Sequence, residues 1–431
     1  MGRKRARIKS MEIAHLRAPG LPATPPMRAE PARPVDLANA HGINSIAGSE
    51  DDGWVSPPPV TLSDGTVVQL YKDGQALHAA YDAIKAAKEI ICLEVYIFAS
   101  DPTGRAFAEL LCAKAREGVR VYVIYDSFGS IDSDHSMFEH MRKSGVRLQE
   151  FHPILPWDTR FSWRPVNRDH RKLLLIDGHI AGIGGLNVGG EYAGSWVVPS
   201  TKGPNEGWRD NAVGIVGPAS KLFLNAFARS WHYTIHGGRI RRAEYSAKLE
   251  GGDLAVLASV ATLNSPLKPN LCRLMGSARR SIYLTMAYFA PDDMLVEELC
   301  KAAKRGLRVR LMLPSKTDVP LVRLAARSFY ETLMACGVEV YERQGVVLHA
   351  KTLVIDGRTT VMGSVNLDYR SIEFNNEISA FIRCDAFGRQ MQDLFENDVR
   401  FAKKIELGEW RRRPTWDRVV QWAVSRARYL M

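Results

Sequence analysis

The reading of this chain turns on His349-Ala350-Lys351-Thr352-Leu353-Val354-Ile355-Asp356-Gly357, with Gly363, Ser364 and Asn366 close behind. An upstream copy runs His170-Arg171-Lys172-Leu173-Leu174-Leu175-Ile176-Asp177-Gly178, followed by Gly184, Gly185 and Asn187. The offset is 349 − 170 = 179 residues, and every member from His to Asn keeps it. In each copy a His and a Lys stand two apart and lead into an apolar run that reads as a buried strand, so both side chains point to one face. The Asp-Gly pair that closes each run is a turn signal, and the Gly and Asn beyond it begin a second strand or its loop. Two such strands side by side can place Asn187 next to His170 and Asn366 next to His349. A lone His-x-Lys carries no information, whereas a doubled His-x-Lys-x4-Asp-Gly with a matched Gly-x-x-Asn is a specific signal.

With its doubled motif the sequence resembles the phospholipase D superfamily, and within it the bacterial cardiolipin synthases. The local wording carries the second likeness: Asn167-Arg168-Asp169 before the first motif, Gly184-Gly185-Leu186-Asn187 after it, and Gly363-Ser364-Val365-Asn366-Leu367-Asp368 with Asn375-Asn376-Glu377 after the second. The resemblance spans about residues 65 to 430. It implies an α/β fold of two tandem phospholipase D-like α/β/α sandwiches in a pseudo-twofold arrangement, with the active site at their interface.

The surrounding sequence repeats in the same way. Residues Ile90 to Phe98 read as a buried strand, a helix from about Thr103 to Glu117 stops at Gly118, and a strand over Val119 to Tyr125 precedes a helix around Ser136 to Lys143 and Gly145. In the second half the order returns: Ile282 to Phe289, a helix from Asp292 to Lys304 stopped by Gly306, a strand from Leu307 to Leu313, a helix around Leu321 to Met334, then Gly337. Alternation of this kind belongs to a layered α/β domain. Two copies of one fold related by a pseudo-twofold axis bring both His-x-Lys strands to a common cleft. The expected division is a Pro-rich basic tail over 1–60, holding nine of the twenty-two prolines, a first domain over 61–245 and a second over 246–431.

Composition sets the class. At 46% hydrophobic and 24% charged, this is a globular chain able to bury a large core. Six scattered cysteines, without a CxxC or a Cys/His cluster, read as reduced core thiols. A net charge of +11 implies an anionic partner, either nucleic acid or an acidic membrane surface. No apolar run long enough to span a bilayer is present and no signal-peptide core follows the basic start, so the expected location is cytoplasmic, at the inner face of the cell membrane.

Two imidazoles, two ammoniums and two amides converging on one cleft suit a phosphodiester. Lysines Lys172 and Lys351 with Asn187, Asn366 and Ser364 can hold its non-bridging oxygens and the extra charge of a five-coordinate transition state. No carboxylate cluster of a metal-binding kind is visible, so neither metal nor other cofactor is expected. One histidine can attack phosphorus while the other serves as acid and base. The residues leave the two interchangeable, and the resemblance implies His170 as nucleophile and His349 as acid/base. It also counts Asp177 and Asp356 in the motif, although their place before Gly reads as turn formation. Gly184 and Gly363 read as positions where backbone approaches phosphate closely. A nucleophilic imidazole needs its other nitrogen held by an acceptor, and Asp210 and Glu377 match positions where the family places such carboxylates.

Three reactions share this site: transfer of a phosphatidyl group from phosphatidylglycerol to a lipid hydroxyl, hydrolysis of a phospholipid, and cleavage of nucleic acid. The aromatic and arginine-rich stretch Pro153 to Pro165, the segment Gly189 to Trp208 and the basic aromatic C-terminus from Trp410 to Leu430 favour a lipid surface, as does the wording around both motifs. Anionic phospholipid and the membrane surface are therefore the expected partners, with no nucleic acid and no obligate protein partner. A non-catalytic scaffold is disfavoured, because both His-x-Lys pairs and both Asn are intact.

Overall fold

The apolar runs after each motif lysine form strands Leu173–Ile176 and Lys351–Ile355 at the heart of two sheets. The computed structural model describes residues 53–155, 166–193, 207–236, 252–259 and 265–426. The tail over 1–52, most of the loop Pro153 to Pro165, most of Gly189 to Trp208, the polar stretch before Gly252 and the last five residues lie outside them.

Each sheet has eight strands. In the first, Leu173–Ile176 runs antiparallel between Ile90–Val95 and Ile180–Gly184, and Ile90–Val95 continues into parallel Arg120–Asp126 and Arg147–Phe151. In the second, Lys351–Ile355 lies between Ser281–Met286 and Thr359–Gly363, with parallel Arg308–Lys316 and Glu339–Val347 beyond. Strand Asn211–Val216 flanks the first hairpin and Glu377–Arg383 the second. The first sheet's strands end at Val216, and Leu254–Ser259 already belongs to the second sheet.

Both motif strands are apolar on two faces because each is covered twice. Leu173, Leu175 and Val354 turn into one core shared by the two halves, built with helices Ser220–Ile235 and Asp385–Val399. Leu174 and Ile176 face the first half's outer helices, and Leu353 and Ile355 the second half's. The layering is thus helix, sheet, shared helices, sheet, helix. At the matched glycines, φ is +91° at Gly118 and +87° at Gly306, +95° at Gly145 and +97° at Gly337. All four follow helix ends, where a left-handed residue closes the last turn.

The helix expected over Leu321 to Met334 is two, Pro320–Ser328 and Tyr330–Ala335. Phe329 N donates to Ala326 O, three residues back, so the turn tightens there while the ring is buried. Three cysteines are buried and three half-buried, and all six are free.

Asp177 and Asp356 close the motif strands from the far side. Seven residues of extended chain separate each from its histidine, about 20 Å. Their φ values are +51° and +57°. Asp177 accepts from the backbone N–H of Lys88, Glu89 and Ile90 at 2.8–2.9 Å, and Asp356 from Arg279, Arg280 and Ser281 at 2.7–3.1 Å. The motif aspartates counted with the catalytic set are therefore clamps on the start of the neighbouring strand. Replacing Asp356 with Ala leaves these backbone donors without their acceptor, which costs about 2 kcal/mol and lowers the melting temperature by roughly 2–4 °C. Calorimetry checks this, and activity per folded molecule should stay near that of the parent.

Candidate active site

The two halves are stitched together at the histidines. Asp169, just before the first motif, bridges to Asn376, and Leu348, just before the second, bridges to Arg209. His170 N donates to Asn376 O at 3.0 Å, and His349 N donates to Arg209 O at 2.8 Å. Asn376 and Arg209 immediately precede Glu377 and Asp210, so each bridge delivers a carboxylate to the histidine of the opposite half. His170 Nδ1 lies 3.1 Å from Glu377 Oε1, and His349 Nδ1 lies 2.7 Å from Asp210 Oδ2. The pairing crosses the interface. With Nδ1 committed, Nε2 is the nitrogen each ring presents to the cleft, and that of His349 lies 3.0 Å from Lys351 Nζ.

The lysines stand beside these rings. Lys172 Nζ donates to His170 O at 2.8 Å, and Lys351 Nζ lies 2.9 and 3.0 Å from the two ring nitrogens of His349. All six groups are buried. Burial and the positive charge of Lys172 hold His170 down to about 4. Burial, then Lys351 and Lys172, hold His349 well below the usual imidazole range. Burial lowers Lys172 to about 7, helped by Lys351, and lowers Lys351 to about 8. Burial lifts Asp210 to about 6 against the pull of Lys351. Burial also works to lift Glu377, but His170, Lys172 and the Ser364 hydroxyl outweigh it and keep that carboxyl below its ordinary value. Both imidazoles are thus held toward the neutral form.

Ser364, expected among the phosphate ligands, is fully buried and donates to Glu377 Oε2. It holds the orienting carboxylate. The first half has Gly185 at this place, and a Cβ there would lie 2.3 Å from Asp210 Oδ1, so the glycine makes room for the shorter acid. Gly184 and Gly363, read as giving backbone access to phosphate, instead press on neighbouring strands. Their Cβ atoms would stand 2.5 Å from Asn211 O and 2.2 Å from Ile378 O. Asn187 and Asn366 are buried, with Oδ1 accepting from Ile97 N at 3.1 Å and Tyr288 N at 3.3 Å. Asn187 Nδ2 also donates to Tyr192 Oη at 2.7 Å.

Several participants escaped the sequence reading. Tyr96 meets His170 edge-on at 5.1 Å, and Tyr192, Trp208 and Tyr288 surround His349 at 5.5, 5.0 and 6.3 Å. Tyr288 Oη donates to Asp318 Oδ2 at 2.5 Å. Arg209 spans the halves through Asp398 at 2.8 and 2.7 Å. Arg171, the variable member of its motif, is wholly buried and donates to Glu377 O and Ser259 O. An arginine beside an acid is a weak hint; nothing else in the sequence marks these contacts. Among the described residues no group of three or more His, Cys, Asp or Glu is placed to hold a metal ion.

The family model described as "Cardiolipin synthase, PLD-like domain" matches residues 81–193 and 271–399. The chain is 33% identical to a cardiolipin synthase of Geobacillus thermodenitrificans, covering 85% of this chain and 72% of that one. It is 31% identical to the major cardiolipin synthase of Bacillus subtilis, over 80% of this chain and 70% of the relative. The fold is similar to that of a phosphatidylserine synthase of Haemophilus influenzae, with a TM-score of 0.68 at 12% identity, covering 87% of this chain and 97% of that structure.

The titrations set a pH window. Asp210 becomes a carboxylate as pH rises through about 6, and the lysines lose their charge near 7 and 8. The pH profile of kcat/KM should therefore rise through about pH 6 and fall above pH 7 to 8, and Asp210→Asn should remove the acid limb. A flat profile across that span would contradict the assignment.

Proposed function

The chain belongs to the cardiolipin synthase family of phospholipase D-like enzymes, and from that we propose that it moves a phosphatidyl group from phosphatidylglycerol to a lipid hydroxyl through a phosphohistidine. The crossed pairs His170–Glu377 and His349–Asp210 are the observation that carries this reading. A phosphodiester between the two rings meets a nucleophile on one side and a proton donor on the other.

His170 is the nucleophile. Its carboxylate is kept ionised with help from Ser364, so Nδ1–H stays donated to Glu377 and the Nε2 lone pair faces phosphorus. His349 is the acid and base. Entry of the anionic diester raises its proton affinity, and Asp210, titrating near 6, steadies the imidazolium that results. Attack by His170 Nε2 forms the P–N bond as the glycerol alkoxide leaves with the proton of His349. The acceptor hydroxyl then gives its proton to His349, its oxygen bonds phosphorus, and the P–N bond breaks. Lys172, Lys351, Asn187 and Asn366 stabilise the non-bridging oxygens.

The substrate lies in a membrane, and the surface suits one. Apolar side chains stand exposed at Phe128, which packs under Arg168, and at Val319 and Leu321, which follow Asp318. The helix Thr415–Arg426 presents Trp416, Val419 and Trp422 to solvent, flanked by exposed Arg411, Arg412, Arg418 and Arg426. A basic residue near anionic headgroups contributes about 1 kcal/mol. No helix among the described residues is long and apolar enough to cross a membrane. We place the protein at the cytoplasmic face, held from the surface.

Incubation with labelled phosphatidylglycerol in vesicles should yield cardiolipin and glycerol, unaffected by chelators, while plasmid DNA stays intact. His170→Ala and His349→Ala should each lose on the order of 10³-fold or more in rate. Phosphatidic acid as the sole product would make the enzyme a hydrolase, and cut DNA with untouched lipid would make it a nuclease.

A further inference from the structure

The two halves share one scaffold, but the outer faces of their sheets are filled differently. In the second half Val361 pairs with Phe381, and both pack into that half's outer core. Only about 20 Å³ remains open beside Lys351 there. The first half has Gly182 at the matching place, 361 − 182 = 179 residues earlier, and its cross-strand partner is Gly214. Their neighbours Ala181, Ile183, Val213 and Ile215 point inward to the shared core, so both glycines lie on the outer face.

A partly open cavity of about 620 Å³ lies between this sheet and the helix Gln75–Ala86; Gly182 leaves its floor bare, while Tyr71 packs over Gly214, its Cε2 2.9 Å from where a Cβ would stand. The helix contributes Ala76, Ala80 and Ala83 to the wall, and the sheet contributes Leu174 and Ile176. Lys172 lines one end, and the turn at Asp177 lies at the other. The span between them is five residues of strand, about 16 Å. The second half closes the corresponding place with Val361, which packs into its outer core. An apolar slot that ends at a catalytic lysine fits a molecule with an aliphatic body and an anionic head.

We propose that this slot takes one acyl chain of the phospholipid whose phosphate lies between His170 and His349. The proposal rests on the lipid reading above and deepens it: the donor's chain enters through the first half, and the crowded second half offers no equivalent berth.

Two substitutions test it. A Cβ on Gly182 meets only Leu174 Cβ, at 3.8 Å, so Gly182→Leu is sterically admitted at its first carbon and projects into the slot. Ala83→Phe fills the slot from the helix side. The readout is the ratio of kcat/KM for dioleoyl phosphatidylglycerol to that for dihexanoyl phosphatidylglycerol in mixed micelles. Both variants should lower that ratio at least tenfold. In parallel, phosphatidylglycerol with a diazirine at an acyl terminus should label helix Gln75–Ala86 in the parent and not in the variants. An unchanged ratio in a folded variant, or a label found elsewhere while cardiolipin still forms, overturns the slot and leaves the transferase reading standing. Labelling of the helix without any transfer product supports the slot and removes the transferase reading.

Discussion

A histidine in this protein is aimed by an acid that belongs to the other half of the molecule. His170 depends on Glu377 and His349 on Asp210, and the backbone bridges at Asn376 and Arg209 set both distances. Neither half can build a competent imidazole alone, because the group that fixes its tautomer arrives across the interface. The same segment carries the adhesive: Arg209 is held by Asp398 and the Arg171 side chain ends on carbonyl groups of the second half. Buried arginines without such partners would oppose folding. Stability of the interface and orientation of the site are therefore one requirement.

Burial has a second consequence. It strips charge from the very groups that will meet an anion, drawing both imidazoles and the lysines toward neutrality. In the proposed reaction, the negative charge of a phosphodiester would favour the protonated forms of these same groups. Aromatic rings from Tyr96, Tyr192, Trp208 and Tyr288 wall this region.

Much of this was legible from residue spacing. The constant offset between the motifs and the paired stops at Gly118 and Gly306 announced a duplicated α/β fold with one shared site, and the family resemblance pointed to Asp210 and Glu377. Periodicity reports local structure, and there it served well, failing where Phe329 tightens a helix into two. It is silent on which strand of one half meets which acid of the other, since those contacts join residues as far apart as 170 and 377. Ser364 and Gly185 show the same limit: only with Glu377 and Asp210 in place does a hydroxyl in one half and a bare backbone in the other become intelligible. Duplication supplied the frame, and the departures from it, at 185 against 364 and at 182 against 361, mark where the halves took different duties.

The crossed pairing is the claim on which the rest stands. Heteronuclear NMR of the histidine ring nitrogens, in Glu377→Gln and Asp210→Asn proteins, addresses it most directly. Glu377→Gln should change the Nδ1 signal of His170 and leave His349 as it was, with Asp210→Asn doing the reverse. If each substitution instead disturbed the histidine of its own half, the two carboxylates would not cross and the account of the site would be wrong.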